Sequence, residues 1–213
     1  MSSEETEPTP DQRLDEPLSL TDPKAMRALA HPVRMALLEL VGMAGTVTAT
    51  QASEVLGESP ANCAFHLRTL AKYGFVREAG GGRGRERPWM ATRRTLRISS
   101  TDITDAQAKL AADALSSAWF ERWVERARRV HGGNAPKLPG WEHATNMTRS
   151  GVFLTAAETE QVRGEIHAII DRYKDRERDA SKRPAGSMPV EIAFFTSPVT
   201  ELAPLMDQSQ DIS

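Results

Sequence analysis

The amino-acid sequence predicts a mainly α fold with one small β-hairpin. Apolar residues recur at helical spacing between residues 23 and 73, and again in 105–130 and 155–179. Between these regions, two short apolar segments flank a stretch rich in Gly and Arg, which is typical of a hairpin with a polar tip. The chain has 213 residues, 39% of them hydrophobic and 26% charged, which suits one large globular domain or two small ones.

The first residues differ in composition from the rest of the chain. Residues 1–20 are rich in Glu, Pro, Ser and Thr and hold few large apolar side chains, so we expect a disordered acidic tail. Asp22 is a good N-cap and precedes a proline, and this pair predicts a short helix that reaches Ala30. A His-Pro pair then opens a second helix, which runs to about Met43.

The next two predicted helices are short and are joined by a tight turn. The first spans Thr48 to Leu56, and Gly57 supplies the turn because glycine adopts positive φ at little cost. Ser59 caps the fourth helix, which runs to Tyr73. The apolar stripe of this fourth helix consists of Cys63, Leu67 and Leu70.

A hairpin is predicted directly after the fourth helix. Residues 75–78 and 88–91 are expected to form its strands, and residues 79–87 form a flexible basic loop between them. Four helices followed by a strand, a basic loop and a second strand make a winged helix-turn-helix, in which the loop is the wing. We assign residues 21–98 to this predicted domain.

The second half of the sequence is predicted to be helical. A helix over 105–130 carries a broad apolar face, and residues 131–154 read as a loop. A T-x-x-E capping box at 155–158 opens another helix, which reaches about residue 179. Residues 190–195 are β-prone and predict a strand. We assign 99–205 to a helical dimerisation or regulatory region and 206–213 to a tail.

The distribution of charge points to nucleic acid. The whole chain has a net charge of −2, but residues 23–97 hold twelve Lys and Arg against five Glu, a net charge of +7. A basic block within a near-neutral chain is typical of a module that binds DNA. Double-stranded DNA is therefore the expected partner of the predicted winged domain.

The outer side of the helix over 59–73 has the composition needed to read a DNA groove. Asn62 can pair with adenine, Ala64 and Phe65 can touch thymine methyl groups, and Arg68 can reach guanine or phosphate. The first-turn amides and the Ser59 hydroxyl are natural phosphate ligands. The candidate contacts on the two helices are Thr48, Gln51, Ser59, Pro60, Ala61, Asn62, Ala64, Phe65, Arg68 and Lys72.

Several residues of the predicted helix over 59–73 also have a less specific interpretation. Outside a helix-turn-helix, Asn62 and Arg68 would be ordinary solvated surface. His66 lies beside the apolar stripe and is expected to be a half-buried packing residue, and Cys63 a small core residue.

The predicted wing carries Arg83, Arg85 and Arg87 between glycines. A flexible hairpin tip with three arginines can lie along phosphates or enter a narrow minor groove. A generic exposed hairpin is the alternative. Because the predicted hairpin lies directly after a helix-turn-helix, we favour its interpretation as a wing.

Two segments resemble the winged-helix regulators of the ArsR type. Residues 28–34, Ala-Leu-Ala-His-Pro-Val-Arg, are similar to the opening of that family, and the helix from Ser59 with its His66-Leu67 pair is similar to its recognition helix. The resemblance covers residues 22 to about 98 and implies a homodimeric operator-binding repressor, or less often an activator. Residues 48–54 lack the cysteines that metal-sensing members carry there, so that metal site is absent. The second half resembles the additional helical region of many actinobacterial regulators of this type.

Other classes of function have weaker support in the sequence. We find no nucleophile elbow, phosphate loop, zinc-protease or dinucleotide motif, so an enzyme is not expected. A winged helix that binds only protein would not need three wing arginines. A small-molecule effector can bind among the aromatic residues of the second half, although packing in a small core is the more common role of such residues. These residues are Trp119, Phe120, Trp123, Trp141 and Phe153.

No cofactor and no metal are expected, because the histidines of the second half are scattered and Cys63 is the only cysteine. The polar N-terminus does not resemble a signal peptide, and no apolar run is long enough to span a membrane. We therefore expect a cytoplasmic protein without a membrane partner.

Overall fold

The computed structural model describes residues 18–82, 86–93, 96–97, 103–132, 138–142, 144 and 146–202. The chain divides into two compact units, residues 1–149 and residues 150–213. The described part is mainly helical with a small antiparallel hairpin, as predicted.

The first unit contains the winged helix-turn-helix and one long helix that follows it. Its elements in chain order are β1 Leu18–Ser19, α1 Pro23–Leu29, α2 Pro32–Ala44, α3 Ala49–Leu56, α4 Pro60–Lys72, β2 Val76–Glu78, β3 Trp89–Ala91, β4 Leu96–Arg97 and α5 Ala106–His131.

Local capping signals set the starts of these helices. The side chain of Asp22 accepts a hydrogen bond from the backbone N–H of Lys24, and Ser59 accepts one from the backbone N–H of Asn62. Both caps precede a proline, whose missing N–H is not needed in the first turn. Both predicted caps are confirmed.

The core of the first unit lies where α1, α2 and α4 meet the hairpin and α5. Its largest fully buried side chains are Met26, Leu29, Met35, Leu37, Val41, Leu67, Leu70, Phe75, Val76 and Leu115. Strands β2 and β3 pair antiparallel, with Val76 opposite Ala91, and an isolated bridge joins Val47 to Trp89. The hairpin is therefore attached both to α4 and to the segment before α3.

The start of the described chain departs from the predicted tail. Leu18 and Ser19 form β1, which pairs in parallel with β4, and Leu20 is only 6% exposed. Their partner strand lies almost eighty residues further along the chain, so local composition could not reveal the pairing. Residues 18–20 thus belong to the fold, and residues 1–17 lie outside the described residues.

Two large apolar side chains of these helices face outward. Val55 of α3 is 66% exposed, because α3 packs through Ala49 and Ala52. Leu110 of α5 is 70% exposed. The buried side of α5 consists of small residues and one leucine, Ala108, Ala111, Ala112 and Leu115, and it packs on α1.

An ion cluster connects α2 to α5. The carboxylate of Glu39 accepts hydrogen bonds from Arg122 at 2.8 and 3.0 Å and from Arg126 at 2.6 Å. The three side chains are mostly buried, which strengthens charged hydrogen bonds relative to those at an open surface. This cluster attaches the long helix to the winged domain.

The second unit contains α6, Ala156–Asp171, and α7, Asp175–Arg178, with 3₁₀ turns at Ala180–Lys182 and Thr200–Leu202. The predicted capping box is confirmed, because Thr155 and Glu158 exchange both of its hydrogen bonds. Helix α6 ends at Asp171, earlier than expected, and none of its residues is buried.

The predicted strand at 190–195 is wrong. These residues are irregular, and the ring of Phe194 contacts His167 with 5.6 Å between the ring centroids. Strand propensity reflects packing against a neighbouring strand. Residues 150–202 contain no strand that could pair with this segment.

Replacement of Glu39 by Ala is expected to lower the free energy of unfolding by about 2 kcal/mol, because two largely buried guanidiniums lose a charged acceptor. Urea unfolding followed by circular dichroism measures this change. Glu121→Ala, which removes an exposed acid from α5, is the matched control. Equal effects from the two changes would contradict the role given to Glu39.

Candidate nucleic-acid interface

Helices α3 and α4 form a helix-turn-helix around Gly57. Gly57 has φ +71°, in the left-handed region, and its N–H donates to the carbonyl of Ser53 at 3.0 Å. This αL residue ends α3 and lets the chain reverse within two residues before Ser59 starts α4. The turn lies where the sequence predicted it.

The inner side of α4 is buried in the core. Cys63 and Leu67 are fully buried, Leu70 nearly so, and His66 is buried as well. This side packs on α2 and α3. The core position of Cys63 is confirmed, and His66 is more deeply buried than expected.

The outer side of α4 carries the candidate DNA contacts. Ser59, Pro60, Ala61, Phe65, Arg68 and Lys72 are exposed, and Asn62 and Ala64 are half-buried. Phe65 is 56% exposed, a large apolar side chain facing solvent in a helix with a well-packed opposite side. The structure thus gathers these predicted residues on one surface.

Thr48 and Gln51 lie in the first turn of α3, where they cap the helix. The hydroxyl of Thr48 accepts from the backbone N–H of Gln51 at 3.2 Å, and the side-chain oxygen of Gln51 accepts from the backbone N–H of Thr48 at 2.9 Å. Thr48 and Gln51, which were predicted as DNA contacts, therefore also have a capping role that was not predicted.

Glu58 is a residue of this surface that the sequence analysis missed. Its carboxylate Oε2 accepts a hydrogen bond from Nδ2 of Asn62 at 2.8 Å, and both side chains are half-buried. The i, i+4 spacing of an acid and an amide was the available signal. The side chain that was predicted to read a base is held by a neighbour in the same turn.

A cluster of rings and one guanidinium lies behind the exposed side of α4. The rings of His31 and His66 have centroids 4.7 Å apart, and Nη1 of Arg34 is 3.4 Å from Nδ1 of His66. Arg34 also donates to the backbone carbonyl of Ala28. The cluster joins the α1–α2 connection to the helix that carries the candidate contacts.

Burial lowers the pKa of both histidines in this cluster. For His66, desolvation is the main cause, followed by the nearby His31 and Arg34, while Glu58 acts in the opposite direction. The pKa of His31 is lowered by burial and by Arg34. Burial also raises the pKa of the Cys63 thiol, which keeps it protonated in the core.

The wing is described in part. Arg87 is exposed, and its Nη1 donates to both carboxylate oxygens of Glu78, at 3.0 and 3.2 Å. Gly80 and Gly81 have φ of +79° and +83°, which only glycine adopts easily. Arg83 and Arg85 lie outside the described residues.

The candidate aromatic residues of the second half are distributed over both units. Phe120 and Trp123 contact each other on α5, with ring centroids 6.4 Å apart, and Trp119 packs against the core. Phe153 belongs to the second unit and is 88% exposed.

No group of three His, Cys, Asp or Glu suited to a metal ion occurs among the described residues. Within the same residues, no helix is long and apolar enough to cross a membrane.

A family model described as a helix-turn-helix domain matches residues 29–79, from the end of α1 to the residue after β2. No curated protein matches the chain. The matched stretch contains α2, α3, the turn at Gly57, α4 and the first strand of the hairpin.

The two histidines of the ring cluster predict a pH dependence of stability. Because their pKa values are lowered on folding, the unfolded chain binds more protons than the folded one as the pH falls through about 6.5. The free energy of unfolding should therefore decrease between pH 7 and pH 5, as urea titrations at each pH would show.

His66→Gln, which cannot become charged, should flatten this decrease even if it lowers stability at every pH. His131→Gln changes an exposed histidine at the end of α5 and serves as the control with the wild-type slope. A wild-type slope in the His66 variant would contradict the assignment.

Proposed function

We propose that the protein is a homodimeric transcription repressor of the ArsR type, because its helix-turn-helix is that of a DNA-binding regulator. It reads the major groove with α4 and contacts the backbone or minor groove with the wing, residues 79–87. The observation that carries the proposal is the division of α4 into a fully packed side and an exposed side with Asn62, Phe65 and Arg68.

The shape and charge of this exposed side suit the major groove. The groove admits one α-helix, and a helix-turn-helix presents the first turns of its second helix to the bases. At the N-terminal end of α4, Pro60 has no N–H and the N–H of Asn62 donates to Ser59, so the positive charge of this surface comes from Arg68 and Lys72 further along the helix. Sequence-independent attraction and base contacts thus come from the same surface.

A contact between two histidine rings supports the ArsR type. The residues that carry the resemblance include His31 and the His66-Leu67 pair, and in the structure the two histidine rings touch. The resemblance also implies repression, in which the bound protein obstructs transcription. A reporter gene placed behind the bound site should show lower expression when the protein is present.

A homodimer follows from the form of DNA recognition. Two recognition helices read the two halves of a palindromic site when they are about one helical turn apart, ~34 Å. α5 exposes apolar side chains at Leu110, Phe120 and Val130. These three positions are spread around the helix, and we propose that α5 contributes to the dimer contact.

The dimer proposal predicts that Leu110→Asp weakens self-association about tenfold or more, because an unpaired carboxylate is costly in an apolar contact. Sedimentation equilibrium of the full chain measures the dissociation constant. Val55→Asp adds the same charge at an exposed apolar position of α3, outside α5, and should leave the dimer intact. An unchanged dimer in the Leu110→Asp variant would place the contact elsewhere, and a monomer in the wild type would reject the homodimer.

The wing can supply a second, sequence-independent contact. In the free protein Arg87 pairs with Glu78, so a DNA phosphate would compete for the same guanidinium. Exposed ion pairs of this kind contribute little, roughly 0–1 kcal/mol, so the exchange is easy.

Replacement of Arg83, Arg85 and Arg87 by Ala should weaken binding to all DNA sequences about equally and flatten the dependence of affinity on salt. Fluorescence anisotropy with a labelled duplex at several salt concentrations measures both quantities. Arg163→Ala, Arg172→Ala and Lys174→Ala together remove three exposed charges from the second unit and form the control. If affinity and salt slope match the wild type, the wing assignment is wrong and a protein-interaction module becomes the better proposal.

A further inference from the structure

We propose that Glu58 determines sequence specificity by holding the amide of Asn62 in one orientation. Held in this way, Asn62 presents its oxygen to a base that donates a hydrogen bond, and adenine is favoured at that position of the site. This inference rests on the proposed function and names the chemistry of one base contact within it.

The contact itself defines the orientation of the amide. Nδ2 of Asn62 lies 2.8 Å from Oε2 of Glu58. A carboxylate only accepts hydrogen bonds, so it pairs with the NH₂ side of the amide and not with the oxygen side. A rotation of the amide by 180° would bring two oxygens together in a half-buried place and is therefore disfavoured.

Glu58 is itself held by the turn. It lies between Gly57, whose φ is +71°, and Ser59, whose hydroxyl caps α4 at the backbone N–H of Asn62. The half-buried carboxylate is close enough to His31 and His66 to act on the pKa of each ring. The turn thus sets the position of its backbone, and the hydrogen bond from Asn62 engages its carboxylate.

The held amide retains what a base contact needs. An asparagine amide has two N–H groups and one oxygen. One N–H stays on Glu58, and the second N–H together with Oδ1 can form the two-bond contact to N7 and N6 of adenine. Guanine offers acceptors at both places, so Oδ1 would face O6, and the fixed orientation discriminates against it.

This arrangement explains an acid at the DNA-facing end of a basic module. A carboxylate near phosphates weakens sequence-independent attraction. Glu58 would lower the affinity for all sequences and also orient a side chain that reads a base. Both effects raise the ratio of specific to non-specific affinity, and this ratio determines which site is bound among many competing sites.

The experiment begins with selection of bound sequences from a random duplex library by the full-length protein. The site obtained is then remade with every base substituted in turn, and binding is measured for the wild type, Glu58→Gln, Glu54→Gln, Asn62→Ala and the double variant with both Glu58→Gln and Asn62→Ala. Gln at position 58 keeps the size of the side chain but offers either an acceptor or a donor to Asn62. Thermal unfolding of each variant establishes that it is folded.

We expect Asn62→Ala to abolish the preference for adenine at one position of each half-site. Glu58→Gln should reduce the preference at that same position about tenfold, the size of a good two-bond base contact. Glu54→Gln removes an equal charge from an exposed position of α3, so it should change general affinity without changing any base preference. In the double variant, Glu58→Gln should add nothing to the effect of Asn62→Ala at this position.

The outcomes separate the two proposals. If the wild type enriches no site, the proposed function is wrong and the inference fails with it. If a site is enriched and Asn62→Ala alters one base position while Glu58→Gln keeps the wild-type preference there, the proposed function stands and the inference is overturned. Equal loss of preference in the Glu54 variant would also overturn it.

Discussion

The packing of one side of α4 is the constraint on which the remaining features depend. An α-helix turns by about 100° per residue, so the burial of Cys63, Leu67 and Leu70 fixes the orientation of α4 about its own axis. A rotation by one residue would expose leucines that each contribute roughly 1.5–3 kcal/mol when buried, and would bury Arg68 instead. The composition of the exposed side of α4 is therefore a consequence of the core behind it.

Local hydrogen bonds then place the ends of the two helices. Thr48 and Gln51 close the start of α3, Gly57 ends that helix, and Ser59 starts α4. Each of these signals acts over three or four residues. The sequence therefore predicted the turn at Gly57 and the cap at Ser59, and the observed helix boundaries differ from the predictions by one or two residues. The order of helices and the hairpin followed from the same local patterns.

The features that could not be predicted depend on distant partners. β1 exists because Leu18 meets Leu96, and the inner side of α5 is set by contact with α1, whose shape selects alanines and leaves Leu110 outside. The segment over 190–195 has the composition of a strand but no neighbour among residues 150–202. Within the candidate site, Glu58 was missed because an acid in a turn has many uses, and only its contact with Asn62 selects one of them.

Three acids of the basic module each bind a donor side chain in the structure. Of the five Glu among residues 23–97, Glu39 binds Arg122 and Arg126, Glu58 binds Asn62, and Glu78 binds Arg87. A surplus of positive charge attracts any duplex and carries no sequence information. Discrimination between bases requires side chains with a defined orientation, and an acceptor-only carboxylate defines the orientation of a donor more strictly than a neutral group does. In the proposed function, the net positive charge supplies affinity, and the carboxylate of Glu58 orients the side chain that makes this affinity selective.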